Sequence, residues 1–176
     1  MSEILIADPA AAADPSFLAE ATALINKVYA DGEKGLWVEG TDRTSADEVA
    51  SIVTAGELAV ARRGGQLVGA VRVQRLATGE GEFGMLVADF AQRGTGVGRE
   101  LVAFAENWGR AQGLTTMQLE LLVPQTWTHP VKEFLREWYT RIGYRHVRTG
   151  VLAEAYPALQ PHLATPCDFL VFHKAL

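Results

Sequence analysis

The stretch Gln92–Arg99 holds three glycines at alternate positions. It follows the apolar run Phe83–Ala88, which is typical of a strand, and leads into the amphipathic segment Glu100–Ala111, which is typical of a helix. Glycine leaves out a side chain where the backbone must approach a ligand closely, and the first turn of a helix offers free N–H groups with partial positive charge. The sequence therefore predicts a strand, a turn and a helix whose N-terminus binds a phosphate-bearing ligand.

The composition is typical of a globular protein, with 48% hydrophobic and 21% charged residues among 176. We expect one domain, residues 1–176, that buries about two-thirds of its unfolded surface. The net charge of −5 disfavours nucleic acid and anionic membranes as partners, because both attract basic surfaces. The one cysteine, Cys167, allows no intrachain disulfide, and no group of Cys and His residues has the spacing of a metal site. With no apolar run near ~18 residues and no signal-peptide pattern, we expect a cytoplasmic protein without a metal ion.

Hydrophobic periodicity and turn residues predict strands and helices along the whole chain. Three consecutive strands form an antiparallel meander, and the glycine loop follows its last strand. The strand, helix and strand around that loop form a βαβ unit, whose two strands should lie parallel. The predicted strands are Ile4–Ala7, Glu57–Arg62, Gln66–Leu76, Glu82–Ala88, Thr115–Val123, Tyr144–Val151 and Asp168–His173, and the predicted helices are Pro15–Ala30, Thr44–Val53, the segment after the glycine loop and Thr128–Ile142. The core face predicted for the last of these helices is Val131, Phe134, Leu135, Trp138 and Ile142.

Two motifs on these elements carry a resemblance to a known family. The run Arg93–Gly98 fits Gln or Arg, two variable residues, Gly, one variable residue, then Gly or Ala. The run Trp138–Tyr144 fits an aromatic residue or Leu, then Tyr, three variable residues, Gly, and Phe or Tyr. With the order of elements, these motifs resemble the GNAT superfamily of acetyl-CoA-dependent N-acyltransferases. The resemblance spans nearly the whole chain and implies a mixed α/β GNAT fold, with a mostly antiparallel sheet of six to seven strands, a parallel βαβ pair and flanking helices.

The resemblance also implies roles for individual residues. Acetyl-CoA would be the co-substrate, with its pyrophosphate on the loop formed by Arg93, Gly94, Thr95, Gly96, Val97, Gly98 and Arg99. Backbone groups at a strand bulge would contact the pantetheine and the acetyl carbonyl, at Leu86, Val87 and Ala88. Tyr139 would protonate the departing coenzyme A thiolate; the alternative is an aromatic residue that only packs. Phe90 and Lys132 depart from the family pattern, which often has Pro and Asn there, so one coenzyme contact has no clear donor.

An amine must be neutral to attack a thioester, so a base or a water chain ending in a carboxylate is expected. Glu120 and Glu82 lie on predicted strands, and Glu120 interrupts an apolar one, where an ionised carboxylate is costly unless it faces a polar cavity. The alternative for both is a solvent-facing side chain or a pair with a strand arginine such as Arg72. His129, at a helix start, is either a further candidate or a cap or surface residue.

The glycine-containing segment Asp31–Asp42 has no periodicity, so we expect it to fold over the core or to form the wall of a site. In the resembled family this segment forms the acceptor wall, which implies Tyr29, Glu33 and Trp37 as wall residues; Trp37 alternatively covers the core. The implied acceptor is a primary amine of a small molecule or peptide.

Two other functions compete with the acetyltransferase interpretation. One is a non-catalytic module on the same fold that binds acyl-CoA or a protein partner. The other is a dinucleotide-binding oxidoreductase, which is disfavoured because Arg99 stands at the third glycine position of that fingerprint and the loop follows an antiparallel meander. The apolar last strand is also able to pair across a two-fold axis, so a homodimer is a further possibility. Cys167 has no pattern of neighbours that would activate a nucleophile.

Overall fold

The protein is described by a computed structural model that covers every residue from Met1 to Leu176. The strands are β1 (Glu3–Ile6), β2 (Leu58–Arg63), β3 (Gln66–Arg75), β4 (Gly81–Ala88), β5 (Thr116–Pro124), β6 (Arg145–Gly150) and β7 (Cys167–Ala175). The helices are α1 (Pro15–Gly32), α2 (Ala46–Thr54), α3 (Val97–Ala111), α4 (Pro130–Arg141) and the short α5 (Leu152–Ala155). All predicted strands and helices are therefore present, with ends that differ by a few residues. None of the helices is both long and apolar enough to cross a bilayer.

Local chemistry explains where the helices begin. Asp14 caps α1, because its carboxylate accepts hydrogen bonds from the backbone N–H groups of Ser16 and Phe17. Ser45 caps α2 in the same way through the N–H of Glu48. Helix α4 begins at Pro130, whose missing N–H is not needed in a first turn. The starts of α1 and α2 are thus set by hydrogen bonds between residues that are close in the sequence.

The sheet consists of two antiparallel blocks joined by one short parallel contact. Its strand order is β1-β2-β3-β4-β5-β7-β6. The parallel contact between β4 and β5 has only two residue pairs, Gly81 with Met117 and Glu82 with Gln118. Beyond Glu82 the two strands no longer pair, and the gap between their carboxyl-terminal halves is called the cleft. The observed arrangement is the mostly antiparallel sheet with one parallel βαβ pair that the sequence predicts.

A bulge changes the direction of β4 beside this cleft. Ala70 pairs with Val87 and Arg72 pairs with Gly84, so one residue of β3 lies opposite two residues of β4, Met85 and Leu86. Met85 has a φ of 52°, and no other non-glycine residue has a positive φ. The bulge exchanges the faces of the strand, because Phe83 packs with the α3 side of the sheet while Met85 packs with the α1 side.

Two hydrophobic clusters cover the two faces of the sheet. On one face α3 and α4 pack over the inward residues of the central strands, with Leu101, Met117, Leu119 and Tyr144 among the most deeply buried. On the other face α1 and α2 contribute Ile25, Val49 and Val53. Helix α3 buries one face against the sheet, since Val97, Leu101 and Ala105 are at most 1% exposed.

The core face predicted for α4 is wrong in part. Val131 is 40% exposed and Phe134 is 60% exposed, whereas Lys132 and Tyr139 are buried. Leu135, Trp138 and Ile142 do pack against the core, as predicted. The helix is turned so that the Tyr139 ring contacts Phe83, with ring centroids 6.1 Å apart, and so that Lys132 reaches a buried carboxylate. The spacing of apolar residues alone does not predict these two interactions.

The last strand is not available to pair across a two-fold axis, which the sequence left open as a possibility. Strand β7 lies between β5 and β6 and pairs with both along its length. Its backbone donors and acceptors are therefore used within the chain. The edge strands of the sheet are β1 and β6.

A glycine on β3 sets how closely α3 approaches the sheet. A Cβ atom at Gly69 would lie 2.8 Å from the backbone oxygen of Val87 and 2.9 Å from the side chains of Leu101 and Val97. We expect Gly69→Ala to lower the free energy of unfolding by about 1–3 kcal/mol, because a backbone atom cannot move aside cheaply. The measurement is chemical denaturation. Gly84→Ala on the neighbouring strand is the control, since a Cβ there meets no atom within 4 Å. Equal stability of the two variants would contradict the prediction.

Candidate active site

The glycine loop turns sharply into α3 because two of its glycines adopt left-handed backbone angles. Asp89 first caps the turn Phe90–Gln92 by accepting from the N–H of Ala91. Gly94 then has a φ of 79° and Gly96 a φ of 91°, a region that costs other residues steric strain. Gly96 is the N-terminal cap of α3 and offers no side-chain acceptor to its first turn. The turn therefore leaves the end of the helix open.

Five backbone N–H groups of this loop have no acceptor within the protein. The N–H of Arg93 donates to Phe90 and that of Thr95 donates to Gln92, so these two amides are not free. The unpartnered N–H groups, by contrast, belong to Gly94, Gly96, Val97, Gly98 and Arg99. Several amides pointing outward at a helix N-terminus form a site for a polyanion.

Two unpaired cations flank these amides, and a third cation braces the loop. The side chains of Arg93 and Arg99 are exposed and form no ion pair or hydrogen bond. Arg63 of β2 instead donates to the carbonyl of Thr95 at 3.0 Å and lies 3.5 Å from Glu100. The sequence analysis missed Arg63, because no local pattern connects it to a loop thirty residues away. Arg63 thus holds the backbone of the loop, while the side chains of Arg93 and Arg99 remain exposed.

Tyr139 reaches the cleft between β4 and β5 from the α4 side. Its side chain is 6% exposed and stacks on Trp138, with ring centroids 5.1 Å apart. Its hydroxyl forms no hydrogen bond within the protein, and the protein does not fully enclose it. Burial, and to a smaller degree the neighbouring Tyr29 phenol, raise the pKa of Tyr139 far above its usual value. Tyr139 is therefore a neutral donor whose partner is not part of the protein.

Tyr29 packs with the α1 side of the sheet, and its phenol contributes to the raised pKa of Tyr139. Both tyrosines of the second motif belong to the core cluster on the α4 side, and Tyr144 is the more deeply buried of the two. The Tyr144 hydroxyl donates to the buried carboxylate of Glu106 at 3.0 Å.

Glu82 and Glu120 form a carboxyl pair at the point where β4 and β5 separate. Glu82 is 5% exposed and accepts hydrogen bonds from the side-chain amides of Gln74 at 3.2 Å and Gln118 at 2.6 Å. Glu120 lies two residues further along β5, and its Oε2 is buried without a donor. Burial, a hydrogen bond with Glu82 and the charge of Glu82 raise the pKa of Glu120 to about 8. At neutral pH the pair accordingly shares one proton.

A histidine orients one of the amides that hold Glu82. The Nε2 atom of His173 lies 2.8 Å from Oε1 of Gln118. Because the amide nitrogen of Gln118 donates to Glu82, its oxygen must accept, and His173 carries the proton on Nε2. The alternative pairing with Arg72 does not occur, since Arg72 contacts Glu57 at 2.8 Å.

The segment predicted as the acceptor wall both covers the core and borders a cavity. Leu36 is fully buried, and the backbone of Trp37 pairs with that of Leu163. Tyr29, Glu33 and Trp37 lie together on a cavity of about 380 Å³, so the structure brings the three predicted wall residues to one place. Glu82, Glu120 and Tyr139 do not line this cavity.

Glu33 is not a free carboxylate in this wall. It is 8% exposed, accepts a hydrogen bond from the Trp37 indole at 2.9 Å and forms a buried ion pair with Lys132. Lys132, at the position where the resembled family often has Asn, thus fastens the start of α4 to the end of α1. Among the charged lining residues without a close ion pair, Arg43 is the least exposed, and the sequence patterns did not reveal it because it lies in a segment without periodicity.

The two remaining candidates, His129 and Cys167, are held by contacts within the protein. His129 is 5% exposed, lies 3.0 Å from the carbonyl oxygen of Lys34 and packs on Trp127. Burial raises the pKa of the Cys167 thiol to about 11, and its Sγ donates to the carbonyl of Thr165. A thiol of this kind is a poor nucleophile, as the sequence indicates.

Comparison with known proteins adds a family and a fold. A family model described as the acetyltransferase (GNAT) family matches residues 22–144. No curated protein sequence matches significantly. Among solved structures, paia N-acetyltransferase from Thermoplasma acidophilum in complex with coenzyme A is 13% identical, with a TM-score of 0.72 over 100% of this chain and 99% of that one. An aminoglycoside 6′-N-acetyltransferase complexed with coenzyme A is 16% identical, with a TM-score of 0.71 over 98% and 96%. The ribosomal-protein-S18-alanine N-acetyltransferase from Escherichia coli is 14% identical, with a TM-score of 0.66 over 99% and 94%. At these identities the similarity concerns the fold.

The shared proton of the carboxyl pair predicts how stability depends on pH. Glu120 has a higher pKa in the folded state than in the unfolded state. At pH values between the usual pKa of a glutamate and about 8, the folded protein therefore keeps a proton that the unfolded chain has lost. Its contribution to stability is fully present below the unfolded pKa and is lost as pH rises through that window. Glu120→Gln keeps a donor toward Glu82 without ionising. We therefore expect the Tm of Glu120→Gln, relative to wild type, to rise between pH 5 and pH 8.5. Glu137→Gln, at an exposed position of α4, is the control; a constant difference for Glu120→Gln would contradict the shared proton.

Proposed function

The chain belongs to the acetyltransferase (GNAT) family, and on this basis we propose that it transfers the acetyl group of acetyl-CoA to a primary amine of a small molecule or peptide. The acetyl group passes by direct nucleophilic attack, without an acyl-enzyme. The observation that carries the proposal is the set of five unpartnered amides between two unpaired arginines at the start of α3. They adjoin a cleft that a neutral tyrosine and a carboxyl pair enter. No metal or prosthetic group is needed for this reaction.

The glycine loop binds the pyrophosphate of the co-substrate in this proposal. Its free N–H groups donate to phosphate oxygens, and Arg93 and Arg99 add charge-assisted contacts. A net charge of −5 does not oppose this binding, because the local field at the loop is positive. The thioester then extends toward the separation of β4 and β5, where the β4 bulge directs backbone groups near Leu86, Val87 and Ala88 toward the acetyl carbonyl. Such amides stabilise the oxyanion that forms during acyl transfer.

Two groups handle protons on opposite sides of the reacting carbon. The Glu82–Glu120 pair accepts the proton that an ammonium must lose before it attacks, directly or through water. With a pKa of about 8, Glu120 accepts this proton in its ionised form, which becomes the main form as the pH rises past that value. Tyr139 donates to the departing thiolate. Its raised pKa requires a strong acceptor, and a thiolate formed in a dry cleft is one because burial disfavours the anion there too.

The geometry of the loop predicts that two glycines two residues apart respond differently to alanine. Gly96→Ala strains a backbone with a φ of 91° and turns the amides of the helix end. We expect it to weaken acetyl-CoA binding by about tenfold or more, equivalent to ~1.4 kcal/mol, in isothermal calorimetry. Gly98→Ala is the matched control, because φ there is not positive and the new Cβ would lie 4.0 Å from Trp138. Equal losses in both variants would remove the basis for the loop as the phosphate site.

Turnover tests the rest of the proposal. Purified protein with acetyl-CoA and a panel of amino acids, polyamines, aminoglycosides and lysine peptides should release free thiol with at least one acceptor. With that acceptor, Tyr139→Phe should lower kcat by about 100-fold or more while acetyl-CoA binding is retained, because only the proton of the leaving group is lost. Tyr144→Phe is the control, since its hydroxyl contacts Glu106 and not the cleft.

Two outcomes would contradict the proposal at different points. An unchanged kcat for Tyr139→Phe would exclude Tyr139 as the acid. Binding of acetyl-CoA without thiol release for any acceptor would instead favour the non-catalytic module. Stabilisation by NAD(P) rather than by acetyl-CoA would favour the oxidoreductase.

A further inference from the structure

Arg43 is a buried guanidinium that the protein leaves without a strong partner. Its side chain is 16% exposed and lies between two aromatic rings, 5.2 Å from the centroid of Tyr29 and 5.7 Å from that of Tyr156. The nearest carboxylate oxygen belongs to Glu48 at 3.9 Å, and that oxygen already accepts a hydrogen bond from the Thr44 hydroxyl at 2.6 Å. Guanidinium has five N–H donors, so most of the donors of Arg43 are unused.

The unused donors face open space rather than protein. Arg43 lines the cavity of about 380 Å³, and the protein does not fully enclose its unpartnered nitrogens. A cavity of this size suits a small molecule. The aromatic rings hold the planar group in one orientation, which leaves its edge available to a planar anion.

The neighbouring charges do not neutralise Arg43. Glu33, the buried carboxylate of the same cavity, is already paired with Lys132. The other charged lining residues, Lys34, Glu39 and Asp42, are exposed to water, which weakens their fields. Burial lowers the pKa of Arg43, but the Tyr29 and Tyr156 phenols and the Glu48 and Glu33 carboxylates raise it by more. The guanidinium therefore stays charged in a desolvated place.

Packing contacts lead from Arg43 toward the carboxyl pair. Its guanidinium lies over Tyr156, whose ring centroid is 5.9 Å from that of Phe169. Phe169 pairs with Leu122 of β5, two residues from Glu120.

The charge of Arg43 favours the ionised form of Glu120 and lowers the pKa of Tyr156. The carboxylates of Glu120 and Glu82, in contrast, raise the pKa of Tyr156. The cavity thus has a cation at its inner wall, and the adjoining cleft has a pair of carboxyls. A molecule that spans the two places meets a positive group at one end and a negative group at the other.

We infer that Arg43 binds the carboxylate of the acceptor, and that the acceptor is a small amino acid whose amine lies toward the Glu82–Glu120 pair. This inference rests on the proposed acetyltransferase function. The amino acid gives one ammonium proton to the carboxyl pair, its nitrogen forms a bond to the acetyl carbon, and the carbon–sulfur bond breaks. The thiolate takes a proton from Tyr139, which regains one from the nitrogen of the product. The carboxylate on Arg43 is unchanged and only positions the amine.

Matched acceptors separate this role from a structural one. Each amino acid of a panel is compared with its carboxamide, which keeps the amine and side chain but lacks the negative charge. Thiol release is measured at saturating acetyl-CoA for wild type, Arg43→Gln and Arg43→Lys. The amine of a carboxamide is less basic, so intrinsic reactivity at neutral pH favours the carboxamide. A preference for the amino acid therefore reports recognition of the carboxylate.

For wild type we expect kcat/KM to be at least about tenfold higher for the amino acid than for its carboxamide. Arg43→Gln should lower kcat/KM for the amino acid by about 100-fold, mainly through KM, and change that of the carboxamide by less than about threefold. Arg43→Lys, which keeps the charge and its place over the rings but loses the planar fork, should give an intermediate value. The Tm increase with acetyl-CoA verifies that each variant retains the glycine loop.

Several results would overturn the inference. A wild-type preference for the carboxamides would mean that the exposed carboxylates Glu39 and Asp42 dominate recognition. Equal losses for both acceptors in Arg43→Gln would assign Arg43 a structural role. If no acceptor releases thiol, the proposed function fails, and the Tm shift caused by each amino acid in the presence of coenzyme A still tests the binding. No shift in wild type, or an equal shift in Arg43→Gln, would then exclude Arg43 as the carboxylate site.

Discussion

The short contact between β4 and β5 is the constraint on which the site depends. Two parallel strands that pair only at Gly81 and Glu82 must separate beyond that point, since no further hydrogen bonds hold them together. The separation opens the sheet to residues from both of its faces. Tyr139 packs with the α4 side of the sheet and Tyr29 with the α1 side. The β4 bulge increases this divergence by exchanging the faces of the strand.

The charges of the site are arranged in pairs, and the unpaired ones mark the places where ligands are proposed to bind. Glu33 and Lys132 neutralise one another in the interior and join α1 to α4. Glu82 and Glu120 share a proton, because two buried carboxylates this close cannot both be ionised at low cost. By contrast, Arg93, Arg99 and Arg43 have no carboxylate within hydrogen-bond distance. A single acidic chain thereby keeps three positive groups available for anions.

The buried face of α4 differs from the face that its apolar residues predict. Its apolar spacing predicts that Val131 and Phe134 face the core, yet both are exposed. Lys132 and Tyr139 are buried instead, where Lys132 forms an ion pair with Glu33 and the Tyr139 ring contacts Phe83. The second motif identified Tyr139 correctly as a special position. It did not reveal that the hydroxyl has no partner within the protein, since this depends on where the β4 and β5 strands separate.

What the sequence determined by itself is local. Alternate glycines specify the turn into α3, the capping residues Asp14 and Ser45 specify helix starts, and the apolar runs specify the strands, because each depends on neighbours within a few residues. Only the tertiary structure decided the partners of charges. It paired Glu33 with Lys132, brought Glu82 beside Glu120 and left Arg43 between two rings, and it did so across 99, 38 and 113 positions of the chain. Coulomb energy and desolvation depend on distance in space, which local sequence patterns do not contain.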